Sequence, residues 1–131
     1  MLRFLKSNLL LHTMTSLIAC LGAGKGTWVP VLQLIDAAPW DSVFLVMPAF
    51  FADKYQPKSE KVQKIVIDDT KELPALTQDI TKALDGKLFG EVAVNFTSGE
   101  GKEHMALLAA LLKIGCGVRL VTMQENSMQE L

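Results

Sequence analysis

Residues 91–114, EVAVNFTSGEGKEHMALLAALLKI, hold in order an apolar run of strand length, a glycine-rich turn and a helical pattern. Glu91 to Phe96 reads as a buried strand because Val92, Ala93 and Val94 follow one another without a polar break. Thr97, Ser98, Gly99, Glu100 and Gly101 are turn residues. From Lys102 to Ile114 the chain carries a helix rich in Ala and Leu, and the Gly115 and Gly117 pair ends it. A strand that turns straight into a helix belongs to a βαβ unit, in which the helix carries the chain back so that the next strand lies parallel.

The same alternation extends in both directions. Strand-length runs recur at Ser16 to Leu21, Val43 to Met47, Lys64 to Ile67 and Val118 to Thr122. Helical patterns lie between them at Thr27 to Ala37, with Thr27 as N-cap and Pro30 in the first turn, and at Leu73 to Leu84. The expected architecture is α/β: a Rossmann-like three-layer sandwich with a mainly parallel sheet of about five strands. One connection is irregular. Pro48 to Lys61, broken by Phe50, Phe51, Tyr55 and Pro57, suits a short helical turn. Lys54, Lys58, Lys61 and Lys64 in close succession read as a solvated face ahead of a binding site.

Length and composition narrow the rest. The chain has 131 residues, enough for one domain, with 13 Lys+Arg against 14 Asp+Glu, so net charge does not drive it onto duplex nucleic acid. Cys20 and Cys116 form neither a CxxC nor a disulfide framework, which suits a reducing, cytoplasmic setting. With His12 and His104 the only imidazoles, no metal site and no cofactor are expected. Arg3 and Lys6, followed by an apolar stretch ending at Cys20, have the outline of a lipoprotein signal. Asn8, His12, Thr13, Thr15 and Ser16 interrupt it, and cleavage before Cys20 would remove most of a strong strand. Residues 1–14 are therefore expected to be an N-terminal extension packed on the domain, with Met14 an alternative start. Residues 15–123 are expected to form the domain and 124–131 a frayed polar tail. No run of about 18 apolar residues suggests a membrane span.

Two glycine-rich loops stand where ligands bind in such sheets, beyond the carboxyl ends of the strands. The first is Gly22, Ala23, Gly24, Lys25, Gly26 and Thr27. The second runs from Asn95 through Thr97, Ser98, Gly99 and Gly101 to Lys102. Small residues let a phosphate approach the backbone, while a helix N-terminus and a lysine attract it. The Walker pattern fails, since Gly26 follows Lys25 where Ser or Thr is required, and the dinucleotide pattern lacks its last glycine. Glycine for the turn alone stays open beside the phosphate reading.

Val92 to Val94, the turn Asn95-Phe96-Thr97-Ser98-Gly99-Glu100-Gly101-Lys102 and the Ala/Leu-rich helix from Met105 resemble the signature of the CRISPR-associated Rossmann-fold, or CARF, family. There the fourth strand ends in an Asn-x-[ST]-x-Gly type turn, followed by a basic residue and an Ala/Leu-rich helix. The first strand and its small-residue loop resemble the family's other ligand-binding loop. This chain has one extra residue before Lys102, and Glu100 where the family has a small or hydroxyl residue. The resemblance covers roughly Thr15 to Met123. It implies a homodimer binding a cyclic oligoadenylate across the two-fold axis in antiviral signalling. It also implies that some members cleave the ring without metal, the ribose 2′-hydroxyl acting as nucleophile.

The expected ligand contacts are Gly22, Ala23, Gly24, Lys25, Gly26, Thr27, Asn95, Thr97, Ser98, Gly99, Gly101 and Lys102. Lys102 and Ser98 are the catalytic candidates, one neutralising charge and the other donating to a phosphate oxygen. His104 offers a general base or a structural side chain. Asp68 and Asp69 offer a ribose contact or a helix cap. Trp28 offers an adenine stack or a core contact. The all-apolar segment Met105 to Leu112 needs cover on a second side, from a partner subunit or from the N-terminal segment. The rival functions are a Rossmann-like enzyme or binding protein for a mononucleotide or other phosphorylated small molecule, and a non-catalytic structural subunit.

Overall fold

The computed structural model describes residues 15–24 and 26–131, so the expected N-terminal extension and Lys25 lie outside the described residues. Chain order is β1 (Ser16–Cys20), α1 (Trp28–Ala37), β2 (Ser42–Pro48), α2 (Ala49–Ala52), β3 (Val62–Ile67), α3 (Leu73–Leu84), β4 (Glu91–Asn95), α4 (Gly101–Ile114), β5 (Gly117–Gln124) and β6 (Ser127–Glu130). The strands form one sheet in the order β3-β2-β1-β4-β5-β6. All neighbours are parallel except β5 and β6. The α/β sandwich read from the sequence is thus present, with six strands among the described residues.

Burial on both faces explains why the central strands lack polar alternation. Leu17, Ile18, Ala19, Cys20 and Leu21 are all fully buried. Ile18 and Cys20 meet the layer built by α3 and α4, whereas Leu17, Ala19 and Leu21 meet the layer built by α1. The three long helices turn apolar stripes inward: Val31 and Leu34 from α1, Leu76, Ile80 and Leu84 from α3, Ala106, Leu107, Ala110 and Leu111 from α4. Each Å² of apolar surface so removed from water stabilises the sandwich by about 25 cal/mol.

The C-terminus departs from expectation. Residues 124–131 are no frayed tail: β5 turns through Glu125 and Asn126, both at positive φ, and β6 returns antiparallel beside it. Two left-handed residues between the paired Gln124 and Ser127 make a tight hairpin that follows the sheet twist. Met128 and Val121 are buried against the α1 layer. On the same side Arg119, itself buried, holds the Glu130 carboxylate through both Nε and Nη2.

Candidate functional site at the switch point

β1 sends the chain to β2 on one side, while β4 lies on its other side, so strand order reverses between β1 and β4. Loops leaving two such strands diverge and open a crevice at their carboxyl ends. The register running from Ser16↔Val92 to Ala19↔Asn95 brings Gly22 level with Ser98. The two glycine-rich loops therefore meet.

They meet through bare backbone. A Cβ on Gly22 would lie 2.9 Å from the Gly99 Cα, and one on Gly99, at φ +93°, would lie 2.7 Å from Glu103 Oε2 and 3.1 Å from the Cys20 Cβ. At Gly22 the space a side chain would need is taken by the backbone of the other loop, and at Gly99 by the side chains of Glu103 and Cys20. Gly101 is different: it begins α4, and a Cβ there would meet nothing within 4 Å.

The buried polar side chains staple the crossing. Gly22 N–H donates to Ser98 Oγ at 3.0 Å, and Thr27 Oγ1 lies 2.8 Å from Ser98 Oγ and 2.7 Å from the Gly24 carbonyl. A carbonyl only accepts, so the Thr27 proton goes to Gly24 and the Ser98 proton to Thr27. Ser98, fully buried, thus spends its donor and an acceptor internally. Asn95 is buried too: its Nδ2 donates to the Val121 carbonyl and its Oδ1 accepts the Thr97 N–H, turning the chain out of β4 and tying it to β5. Trp28 donates Nε1–H to the Gly22 carbonyl at 2.9 Å and sets its ring against Phe51 and Tyr55, so it braces the first loop.

Above the staples lies an exposed lip. Ala23, Gly24, Gly26, Thr97, Gly101 and Lys102 reach solvent, while Gly22, Asn95 and Ser98 lie beneath, and Thr27 and Gly99 are half-buried. Lys102 Nζ donates to the Asp69 carbonyl at 2.9 Å, joining the start of α4 to the loop after β3. In that loop Asp68 accepts from the Thr70 N–H and hydroxyl, and these bonds lower its carboxyl below the usual range. The pair does not cap α3, whose N-cap position is Glu72.

Sequence reasoning missed Glu103. It sits in the first turn of α4 with 4 % exposure, its carboxyl takes the Glu100 N–H, and its Oε2 has no hydrogen-bond partner among the described residues. Burial pushes this carboxyl up, against the Glu100 N–H, which pulls it down. The spacing Glu100 to Glu103 is that of an N-cap and its N3 partner, the signal that could have found it. His104 Nε2 lies 2.8 Å from the Ser98 carbonyl and therefore carries the proton, with the ring tilted over Phe96 at 4.9 Å.

Among the described residues no group of three or more His, Cys, Asp or Glu is placed to hold a metal, and no helix is long and apolar enough to cross a membrane. Cys20 is buried at the crossing, and desolvation followed by the field of Glu103 raises its thiol far above the usual range. On the outer side of α4, Met105 (61 % exposed), Leu108 and Leu112 (64 %) form a solvent-facing apolar stripe. No protein-family model matches the chain, and no curated protein matches it.

Proposed function

We propose that this chain is a CARF-like domain that binds a cyclic oligoadenylate as a homodimer in CRISPR-linked antiviral signalling. The observation that carries the reading is the meeting of two glycine-rich loops at the β1/β4 reversal, beside the open first turn of α4. A phosphodiester ring presents several anionic groups, which suit free N–H groups at a helix start and the adjacent Lys102. Exposed Met105, Leu108 and Leu112 favour a two-fold partner, since an apolar stripe in water is stabilised by covering it. Pairing along α4 would set two lips side by side for a symmetric ligand. For cleavage, Lys102 is the residue that would neutralise the scissile phosphate, with the ribose 2′-hydroxyl as nucleophile and no metal.

A second reading is a Rossmann-like enzyme or binding protein for a mononucleotide or another phosphorylated small molecule, which Gly24, Thr97, Gly101 and Lys102 on the lip of a single subunit would hold. A thermal-shift screen with cyclic tetra- and hexa-adenylate, AMP, ATP and NAD separates the two. Stabilisation by a cyclic adenylate alone supports the first, stabilisation by AMP or ATP alone the second, and no shift with any of them rejects both. Turnover of a bound cyclic adenylate in EDTA, lost in Lys102→Ala, would establish the nuclease. Binding without turnover would leave a sensor.

A further inference from the structure

A cleft of about 270 Å³ lies at the far end of α1 from the glycine loops. Leu32 and Ile35 from the last turns of α1 and Val62 at the start of β3 give it an aliphatic floor. Tyr55 forms a wall, braced edge-on by Trp28 at 6.4 Å. Lys58 and Lys61 border it from the connection into β3.

The four lysines between residues 54 and 64 divide into two pairs. Lys64 Nζ donates to the Ala52 carbonyl and stands 5.9 Å from the Tyr55 ring centre, and Lys54 Nζ stands 4.4 Å over Phe50. Both are occupied by the protein itself. Lys58 and Lys61 make no ion pair and no side-chain hydrogen bond among the described residues, yet both line the cleft. Asp36 is the acid in the lining. Burial, then the charge of Asp36, raises the Tyr55 phenol, so its hydroxyl keeps its proton. Two lysines against one carboxylate leave one positive charge to be matched.

We propose that this cleft binds a small apolar carboxylate, its hydrocarbon body on Leu32, Ile35 and Val62 and its anionic head between Lys58 and Lys61. The volume falls just under the usual range of ligand pockets, which suits a single-ring or short-chain acid. An apolar floor with a few convergent polar groups at the rim is the common plan of small-molecule sites. The inference is independent of the glycine loops. It gives the lysine series, which sequence alone assigned to a solvated face, a division of labour.

The test is titration of the ¹⁵N-labelled chain with 3-phenylpropionate, using 2-phenylethylamine as the charge-reversed control. The expected result is saturable binding with a Kd of about 0.1–1 mM, as ligand efficiency allows for so small a molecule. Shifts should centre on the amides of Leu32, Ile35, Tyr55 and Val62. Lys58→Gln and Lys61→Gln should each weaken binding about five- to tenfold while the spectrum stays that of the folded protein, because each removes one charge-assisted contact. No saturation, equal binding of the amine, shifts centred elsewhere, or unchanged affinity in both lysine variants would overturn the proposal.

Discussion

Gly99 and Gly101, two residues apart, are expected to respond to alanine in opposite directions. At Gly99 the backbone stands at φ +93°, where an L side chain costs about 1–2 kcal/mol, and the new methyl lands 2.7 Å from Glu103 Oε2 with the Cys20 Cβ at 3.1 Å behind it. Overpacking a site bounded by buried groups adds about 1–3 kcal/mol, so Gly99→Ala should lose about 2–5 kcal/mol. For a domain of this length that is a fall in Tm of about 7–18 °C. At Gly101 the space is open and the residue is helical, so alanine should add about 0.4–1 kcal/mol by restricting the unfolded chain. Urea denaturation followed by the fluorescence of Trp28 and Trp40 measures both. A Gly99→Ala variant within about 0.5 kcal/mol of the parent, or equal losses in the two variants, would refute the assignment of Gly99 to loop contact and Gly101 to open space. The pair also separates scaffold from ligand contact. If the first turn of α4 receives a phosphate, Gly101→Ala should weaken binding in a protein more stable than the parent.

Ser98→Ala should lose about 1–3 kcal/mol, because the buried Gly22 N–H is left without its acceptor; Thr97→Ala, exposed beside it, should stay within about 0.5 kcal/mol by the same urea assay. Glu103 has a raised carboxyl, so the stability it contributes is fully present below the ordinary value of 4.5 and is lost as pH rises through the folded value. Glu103→Gln should therefore gain on the parent as pH climbs from the acid side, and a pH-independent difference between the two would count against a buried, strained carboxylate. Glu130→Ala should destabilise by about 1–3 kcal/mol, because Arg119 is buried while Glu130 is partly exposed, readable as a lower urea midpoint; a change within error would show that the ion pair does not hold the hairpin.

The sandwich was legible because burial on both faces writes itself into sequence as unbroken apolar runs, and Leu17 to Leu21 is the clearest. Leu73 to Leu84 was legible as a helix for the opposite reason: one face is buried, so apolar and polar residues alternate at helical spacing. The final hairpin was not. Its turn is Glu125-Asn126 in place of the Asn-Gly that usually announces such a loop, and its buried residues, Val121 and Met128, are spaced among Gln, Thr and Glu. At the site, the loops and the strand reversal were readable from glycine placement. What each glycine accommodates was not, because the Gly22 contact to Gly99 joins residues 77 apart in sequence and depends on register. Ser98 shows the same limit: a serine in a glycine turn signals a polar contact without saying to whom.

The crossing of Gly22 and Gly99 also sets which positions can drift. A side chain at Gly22 would press on the backbone of Gly99, where no smaller residue exists to make room, whereas one at Gly99 would press on the side chains of Glu103 and Cys20. Ala23, Thr97 and Gly101, on the lip above, face no such bound. The loops thus combine an inflexible alphabet underneath with a permissive one on top. Selection, natural or in the laboratory, can exchange the surface presented to a ligand while the joint that holds both loops stays unchanged.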